Sequence, residues 1–185
     1  MTASDILSFW FEEISSKQWF KQDSDFDALI KERFLSVHQS ANSGELFTWR
    51  DTATGRLAEI IILDQFSRNI FRNHPDAFAS DNLALVLAQE AVNGGALEAL
   101  EQRQQAFLIM PFMHSEVLAD QEQSIALYSS LAEEGAEGGD DTLKYAVLHR
   151  DIVARFGRFP HRNEILGRDK MPEEVAFLKE PNSSF

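Results

Sequence analysis

The sequence predicts an all-helical fold, and three observations carry that expectation. Apolar residues recur at a spacing near 3.6 along most of the chain, the period of one helix face. No stretch alternates apolar and polar residues convincingly at period two, as a half-buried strand would. The breaks between periodic stretches are short and carry helix caps and stops rather than long linkers.

The elements follow in order. Ser4-Asp5 opens a short helix bearing Ile6, Leu7, Phe9 and Trp10, and Trp19-Phe20 forms an aromatic plug in the connection after it. Asp23-Ser24-Asp25 caps a second helix whose face carries Phe26, Leu29, Ile30 and Val37, and Asn42-Ser43-Gly44 stops it. Asp51-Thr52 opens a third, running through Leu57, Ile60 and Leu63 toward Arg72. His74-Pro75 ends it, because the residue before a proline is pushed out of the helical region. A fourth helix spans about Asp76 to Val92 and stops at Asn93-Gly94-Gly95. A fifth covers about Glu101 to Met110, where Pro111 ends or kinks it. A sixth runs from Ser115 to Glu134, and a glycine- and acid-rich loop, Gly135 to Gly139, leads to a seventh from Asp140 to Phe156. Gly157 and Pro160 end that one, and short helices follow around Asn163 and Pro172. About seven main helices with short loops imply antiparallel packed pairs in a single domain, residues 1–185.

Composition narrows the function classes. Hydrophobic residues make up 44% of the 185 and charged residues 25%, ordinary for a globular chain, and fifteen Phe supply bulky core material. The formal net charge of −13 repels phosphate backbones and anionic lipid, so neither a nucleic-acid nor a membrane partner is expected. Between Lys144 and Lys170 the balance reverses, with seven Lys/Arg against three Asp/Glu. That stretch either neutralises acidic neighbours or forms an anion-attracting cleft. The absence of cysteine excludes disulfides, thiolate metal sites and cysteine nucleophiles. The N-terminus has no signal-peptide core, and the longest apolar run, Ala106 to Met113, is far too short to span a bilayer. A cytoplasmic location is the expectation. Asn182-Ser183-Ser184 fits a glycosylation sequon, but no secretion signal delivers it to that machinery. Phosphate-loop, dinucleotide, zinc-protease, calcium-loop and nucleophile-elbow motifs are all absent, and no cofactor is expected.

What remains is a set of polar residues on apolar faces. In the third helix Asp64 falls in the middle of the stripe set by Leu57, Ile60 and Ile61, with Arg68 one turn on. Acid first and four apart is the favourable order for an ion pair. Such a pair either holds helix ends in register or lets Arg68 offer its fork to an anion, with Asp64 orienting it. In the seventh helix His149 and Arg150 both fall within the apolar arc, and Arg33 and Gln121 lie in the stripes of the second and sixth. Those inward groups form separate structural bonds or converge on one cavity. His114 sits at a junction between Pro111 and Ser115, collinear with Leu118, Gln121 and Ile125, where it either stabilises the loop or does acid–base work beside Glu116. Metal binding by His114, His149 and Asp64 or Glu116 lacks any paired spacing on one helix, and no metal site is expected.

Four stretches taken together resemble a known family. They are Ile6 to Phe11, Leu63 to Arg72 (Leu-Asp-Gln-Phe-Ser-Arg-Asn-Ile-Phe-Arg), Met110 to Glu116 (Met-Pro-Phe-Met-His-Ser-Glu) and Arg155 to Asn163. In order and spacing they are similar to the bacterial domain-of-unknown-function 924 family, over nearly the whole chain. One departure is Ser67, where proline is expected in relatives; it should affect only the helix end. The resemblance implies a tetratricopeptide-like, right-handed stack of antiparallel helix pairs with a concave side. It supplies no activity and no catalytic residue.

Three readings of function follow. In the first, the chain is a binding or interaction module. Arg68, Asn69, Arg150 and Arg162 take a small anionic ligand or a peptide carboxylate, and His114, His149 and Gln121 add hydrogen bonds. In the second it is a small-molecule hydrolase or isomerase. His114 or His149 is then the general base, Asp64 the orienting carboxylate and Arg68 the oxyanion stabiliser. In the third every polar group is internally satisfied and an outer face binds other proteins.

Overall fold

The computed structural model describes residues 1–135, 138–181 and 183–184, and among them there are helices and turns but no strand. They form two compact units, Met1–Pro111 and Phe112–Phe185. No helix among these residues is long and apolar enough to cross a membrane. Asn182 of the sequon, and Ala136 and Glu137 of the glycine-rich loop, lie outside the described residues.

In the first unit, α1 (Ala3–Ser8) is closed by a reciprocal cap: the Thr2 hydroxyl accepts from the Asp5 amide, and the Asp5 carboxylate takes the Thr2 amide at 2.6 Å. A π-helical turn, Phe9–Glu13, continues it and buries Phe9, Trp10 and Phe11 in succession. Its wider turn changes the angular spacing that an α-helix would impose on three successive side chains. The aromatic plug is Trp19 alone. Its indole N–H donates to the Trp10 carbonyl at 2.9 Å and its ring lies 4.9 Å from Phe107, while Phe20 stays largely exposed.

The second helix, α2 (Ser24–Asn42), starts where the sequence places it, with Asp23 accepting from the Asp25 and Phe26 amides. Arg33 on this helix does not turn inward; it pairs with Glu13 at the surface at 2.8 Å, its guanidinium over Phe9 and Phe34. The stem packs on the core while the head stays wet, as long cationic side chains allow.

The third predicted helix is three pieces. Thr52 caps α3 (Ala53–Ile61), a π turn spans Ile62–Phe66, and α4 (Ser67–Ile70) completes it. The π turn buries all five of its residues, Asp64 and Gln65 included. A 3₁₀ turn, Pro75–Ala77, then precedes α5 (Asp81–Asn93). The fourth helix therefore begins at Asp81 rather than Asp76, because His74 caps the short turn, its ring nitrogen accepting from the Asp76 amide. Helix α1 packs on α3, α3 on α5, and α2 on α4 and the π turn. Phe34 lies 4.7 Å from both Phe9 and Phe66 at the centre of this core. Each fully buried side chain of this size contributes about 1.5–3 kcal/mol.

Pro111 does not end its helix: α6 runs from Gln102 to His114 with the proline inside it, and the division between the units falls there. Pro111 has no amide hydrogen, so Phe107 loses its intrahelical donor without the helix stopping. In the second unit α7 (Leu118–Glu133) packs on α8 (Gly139–Phe156). The buried stripe of α7 is Gln121, Ser124, Tyr128 and Leu131; Leu118 is exposed, so His114 does not extend a Leu118–Gln121–Ile125 line. Gly157 ends α8 in the left-handed region, at φ +67°. A 3₁₀ turn, Pro160–Arg162, and the short α9 (Pro172–Phe177) follow, and Ile152, Val153, Phe159 and Phe177 form a local core.

Candidate functional site

The residues singled out in the sequence divide between the units. Asp64, Arg68 and Asn69 belong to the first; His114, Gln121, His149, Arg150 and Arg162 belong to the second.

In the first unit the Asp64–Arg68 pair forms, at 3.2 Å. Arg68 also donates to the Asp64 carbonyl at 2.8 Å and grips Asp81 with both nitrogens at 3.0 and 3.2 Å. Burial works against its charge, and Asp64 and Asp81 outweigh it, so its pKa moves up. Asp64 is buried and accepts from the Gln65 side-chain Nε2 at 2.6 Å. Asn69 donates to Asp27 at 2.8 Å, and Arg72 grips the same carboxylate. The cations here are spent on the protein's own acids. An incoming anion has to displace Asp81 to reach Arg68, against the surplus negative charge of two carboxylates on one guanidinium.

This unit also holds a serine–histidine contact. The Ser67 hydroxyl donates to the Leu63 carbonyl at 2.6 Å, so the His38 ring N–H is the donor to Ser67 at 2.7 Å. Burial lowers the His38 pKa. The contact has the length of a nucleophile–base pair, but Ser67 is fully buried and its proton is committed to a carbonyl. It is structural. Ser67 thus reaches beyond the helix end and anchors a buried histidine of α2.

The second unit gathers groups of a different kind around Phe159. The Arg162 guanidinium lies over the Phe159 ring at 4.7 Å, and its Nη2 donates to the His114 carbonyl at 3.0 Å. His149 meets the same ring edge-on at 5.5 Å, and His161 lies 5.6 Å from it. The rings of His114 and His149 are 6.3 Å apart. Three imidazoles and a guanidinium therefore converge from the end of α6, the middle of α8 and the turn after it. His149 donates from Nδ1 to the Tyr145 carbonyl at 2.8 Å, which fixes Nε2 as the acceptor nitrogen. Its pKa falls to about 3, first through burial and then through the neighbouring His114, with His161 and Arg162 adding to it against the Tyr145 bond. Such an imidazole is neutral near pH 7 but too weak a base to abstract protons well.

Arg150 does not belong to this cluster. It pairs with Glu122 at 3.1 Å and with Asp151 at 2.8 Å on the outer side of α8, so the apolar arc is narrower than its sequence spacing suggests. Gln121 closes the C-terminus of α6. Its amide nitrogen donates to the carbonyls of Met113 at 2.7 Å and Ser115 at 2.6 Å, beside the His114 carbonyl held by Arg162.

Sequence reasoning missed His161 and a second network. Glu116 accepts from the Phe159 amide at 2.7 Å and from both Arg168 terminal nitrogens. Burial alone raises its pKa; Arg168 and the amide bring it below the usual range. Glu174 is buried and accepts from Arg158 at 2.6 and 2.8 Å, from the Met171 amide and from Asn163. Arg158 first among these holds its pKa down to about 2. Arg168 joins the two acids through Asn163 at 2.9 Å. The basic stretch neutralises acids through Arg158 and Arg168, the first of its two expected roles, while His161 and Arg162 stand at the Phe159 ring. Among the described residues no group of three or more metal-ligating side chains stands close enough to hold a metal ion.

A family described as bacterial protein of unknown function (DUF924) matches residues 6–182. A solved structure of a protein of unknown function from Agrobacterium tumefaciens is similar at 39% identity, with 96% of each chain covered and a TM-score of 0.88. No curated protein matches the chain.

Proposed function

Since the chain belongs to the DUF924 family of bacterial proteins of unknown function, we propose a role from its own chemistry: it is a binding module for a small oxyanion, a carboxylate or phosphate. Its site is the cluster of His114, His149, His161 and Arg162 around Phe159. One observation carries the reading. Three nitrogen-rich side chains, His149, His161 and Arg162, meet at one aromatic ring, and a fourth, His114, stands 6.3 Å from His149 beside them, in a protein whose net charge is −13. A guanidinium on an aromatic face with imidazoles beside it is well suited to a planar or tetrahedral oxyanion. The tetratricopeptide-like stack that the family resemblance implies would suit a binding role, but the proposal does not depend on it.

The test is titration of the purified chain with acetate and with inorganic phosphate, followed by calorimetry. Saturable binding of at least one is expected, weakened about tenfold or more, or about 1.4 kcal/mol, by Arg162→Lys, which keeps the charge and loses the fork. His161→Ala serves as a second variant, because the ring is half-buried and the change removes one imidazole of the cluster. A folded wild-type chain that binds neither anion contradicts the proposal.

A further inference from the structure

Two buried polar atoms beside the cluster are not used by the fold. The Gln121 side chain is fully buried, and its amide nitrogen is committed to the carbonyls that end α6. That commitment fixes the orientation of the amide, since a flip would set oxygen against oxygen. The Gln121 Oε1 is therefore a true acceptor, and it has no hydrogen-bond partner. One turn along α7, the Ser124 Oγ is likewise buried and without a partner, not even the carbonyl behind it in its own helix. Buried polar atoms are nearly always satisfied, so two on one stripe need an explanation.

Their place is well defined. Helix α7 packs on α8, and the Arg150–Glu122 ion pair fixes the register of the two. Counting from that pair in antiparallel order sets Ser124 at the level of Leu148 and His149. Gln121 binds the carbonyls of Met113 and Ser115, and Arg162 binds that of His114 between them. Gln121 thus stands at the end of α6 beside the carbonyl that Arg162 holds, and Ser124 lies one turn along the same buried stripe, level with His149 by that count. Their hydrogen-bonding character is complementary to that of the cluster. Arg162 is a donor, suited to an anion. Gln121 Oε1 and His149 Nε2 are acceptors, and the Ser124 hydroxyl serves as either.

We infer that the ligand of this site is a short carboxylate carrying an adjacent O–H or N–H donor, as in a hydroxy acid or an amino acid. Its carboxylate lies on Arg162 and its donor on Gln121 and Ser124. The inference rests on the oxyanion reading above. It adds that the site discriminates by the donor, because an analogue lacking it leaves buried acceptors unmet.

The experiment is a parallel titration of the full chain with acetate, glycolate and glycine, repeated on Ser124→Ala. Glycolate or glycine is expected to bind about tenfold or more tighter than acetate, and the tighter of the two identifies the donor as hydroxyl or ammonium. Ser124→Ala is expected to shrink that preference, read as the ratio of glycolate or glycine affinity to acetate affinity in the same variant. Equal affinity for all three overturns the inference, leaves the oxyanion reading standing, and means that Gln121 and Ser124 hold only buried water. A preference that survives intact in Ser124→Ala also overturns it. Failure of all three, and of phosphate, to bind removes the oxyanion reading and the inference together.

Discussion

His149 is kept neutral by burial first, and then by His114, His161 and Arg162 beside it, and that sets its response to acid. Its folded pKa of about 3 lies below the value near 6.5 of an unfolded histidine. Between those limits the unfolded chain binds the extra proton, so stability falls as pH drops from 6.5 toward 3. Each unit is worth about 1.4 kcal/mol. His149→Gln is expected to flatten that part of the profile in chemical denaturation measured from pH 7 to 4. A difference between variant and wild type that does not change with pH contradicts the account. Glu174 has the opposite sign. Its pKa is lowered to about 2 by Arg158, so its contribution is fully present above the normal carboxylate pKa near 4.5 and disappears as pH falls through 2. Glu174→Gln is expected to cost about 2 kcal/mol at pH 7, with the difference from wild type narrowing below pH 4. At this scale the sequence was partly legible. Asp64 and Arg68 lie one helical turn apart and their pairing follows from spacing alone. Arg168 and Glu116 lie 52 residues apart and Arg158 and Glu174 lie 16 apart, with no periodicity to announce either pair.

Glycines separate two ways in which an element constrains a residue. Gly157 ends α8 at φ +67° with open space around it, so Gly157→Ala meets only the left-handed backbone cost, about 1 kcal/mol. Gly55 lies inside α3 at an ordinary φ, but a Cβ there would sit 1.9 Å from the Trp49 carbonyl oxygen. Gly55→Ala is expected to cost more than about 3 kcal/mol, since backbone must move to admit it. Thermal unfolding of the two variants tests the contrast; equal losses would contradict it. Helix identities and most caps were readable, because Asp23, Thr52 and Gly157 are local signals acting within a few residues. The π turns at Phe9–Glu13 and Ile62–Phe66 were not. A π turn interrupts a helical pattern without a distinctive residue and shows only as an apolar run too dense for one face. Of the two readings at Pro111, an end or a kink, the end is excluded: proline removes one hydrogen bond, and a well-packed helix survives that loss.

Across the whole molecule, net negative charge and the Arg162 guanidinium of the cluster make opposite demands on a ligand. The protein's field repels an anion at a distance, and the cluster attracts it at contact. Binding is therefore expected to weaken only modestly with salt, because the screening that reduces contact attraction also reduces long-range repulsion. Arg68→Ala is expected to lower stability, since it strands Asp64 in the core of the first unit, while leaving anion affinity unchanged. That outcome distinguishes the cluster from the Asp64–Arg68 pair that the sequence brings forward first. The pair was visible because its members share one helix. The cluster was only half visible, because Phe159, His161 and Arg162 lie in a turn where no periodicity says which side chains face inward. The most direct measurement of the central claim is an NMR titration of the ¹⁵N-histidine-labelled chain with inorganic phosphate and acetate. Saturable shifts of the His114, His149 and His161 ring nitrogens, with His38 and His74 unmoved, are the predicted result. Uniform movement of all five histidines, or none, would contradict it.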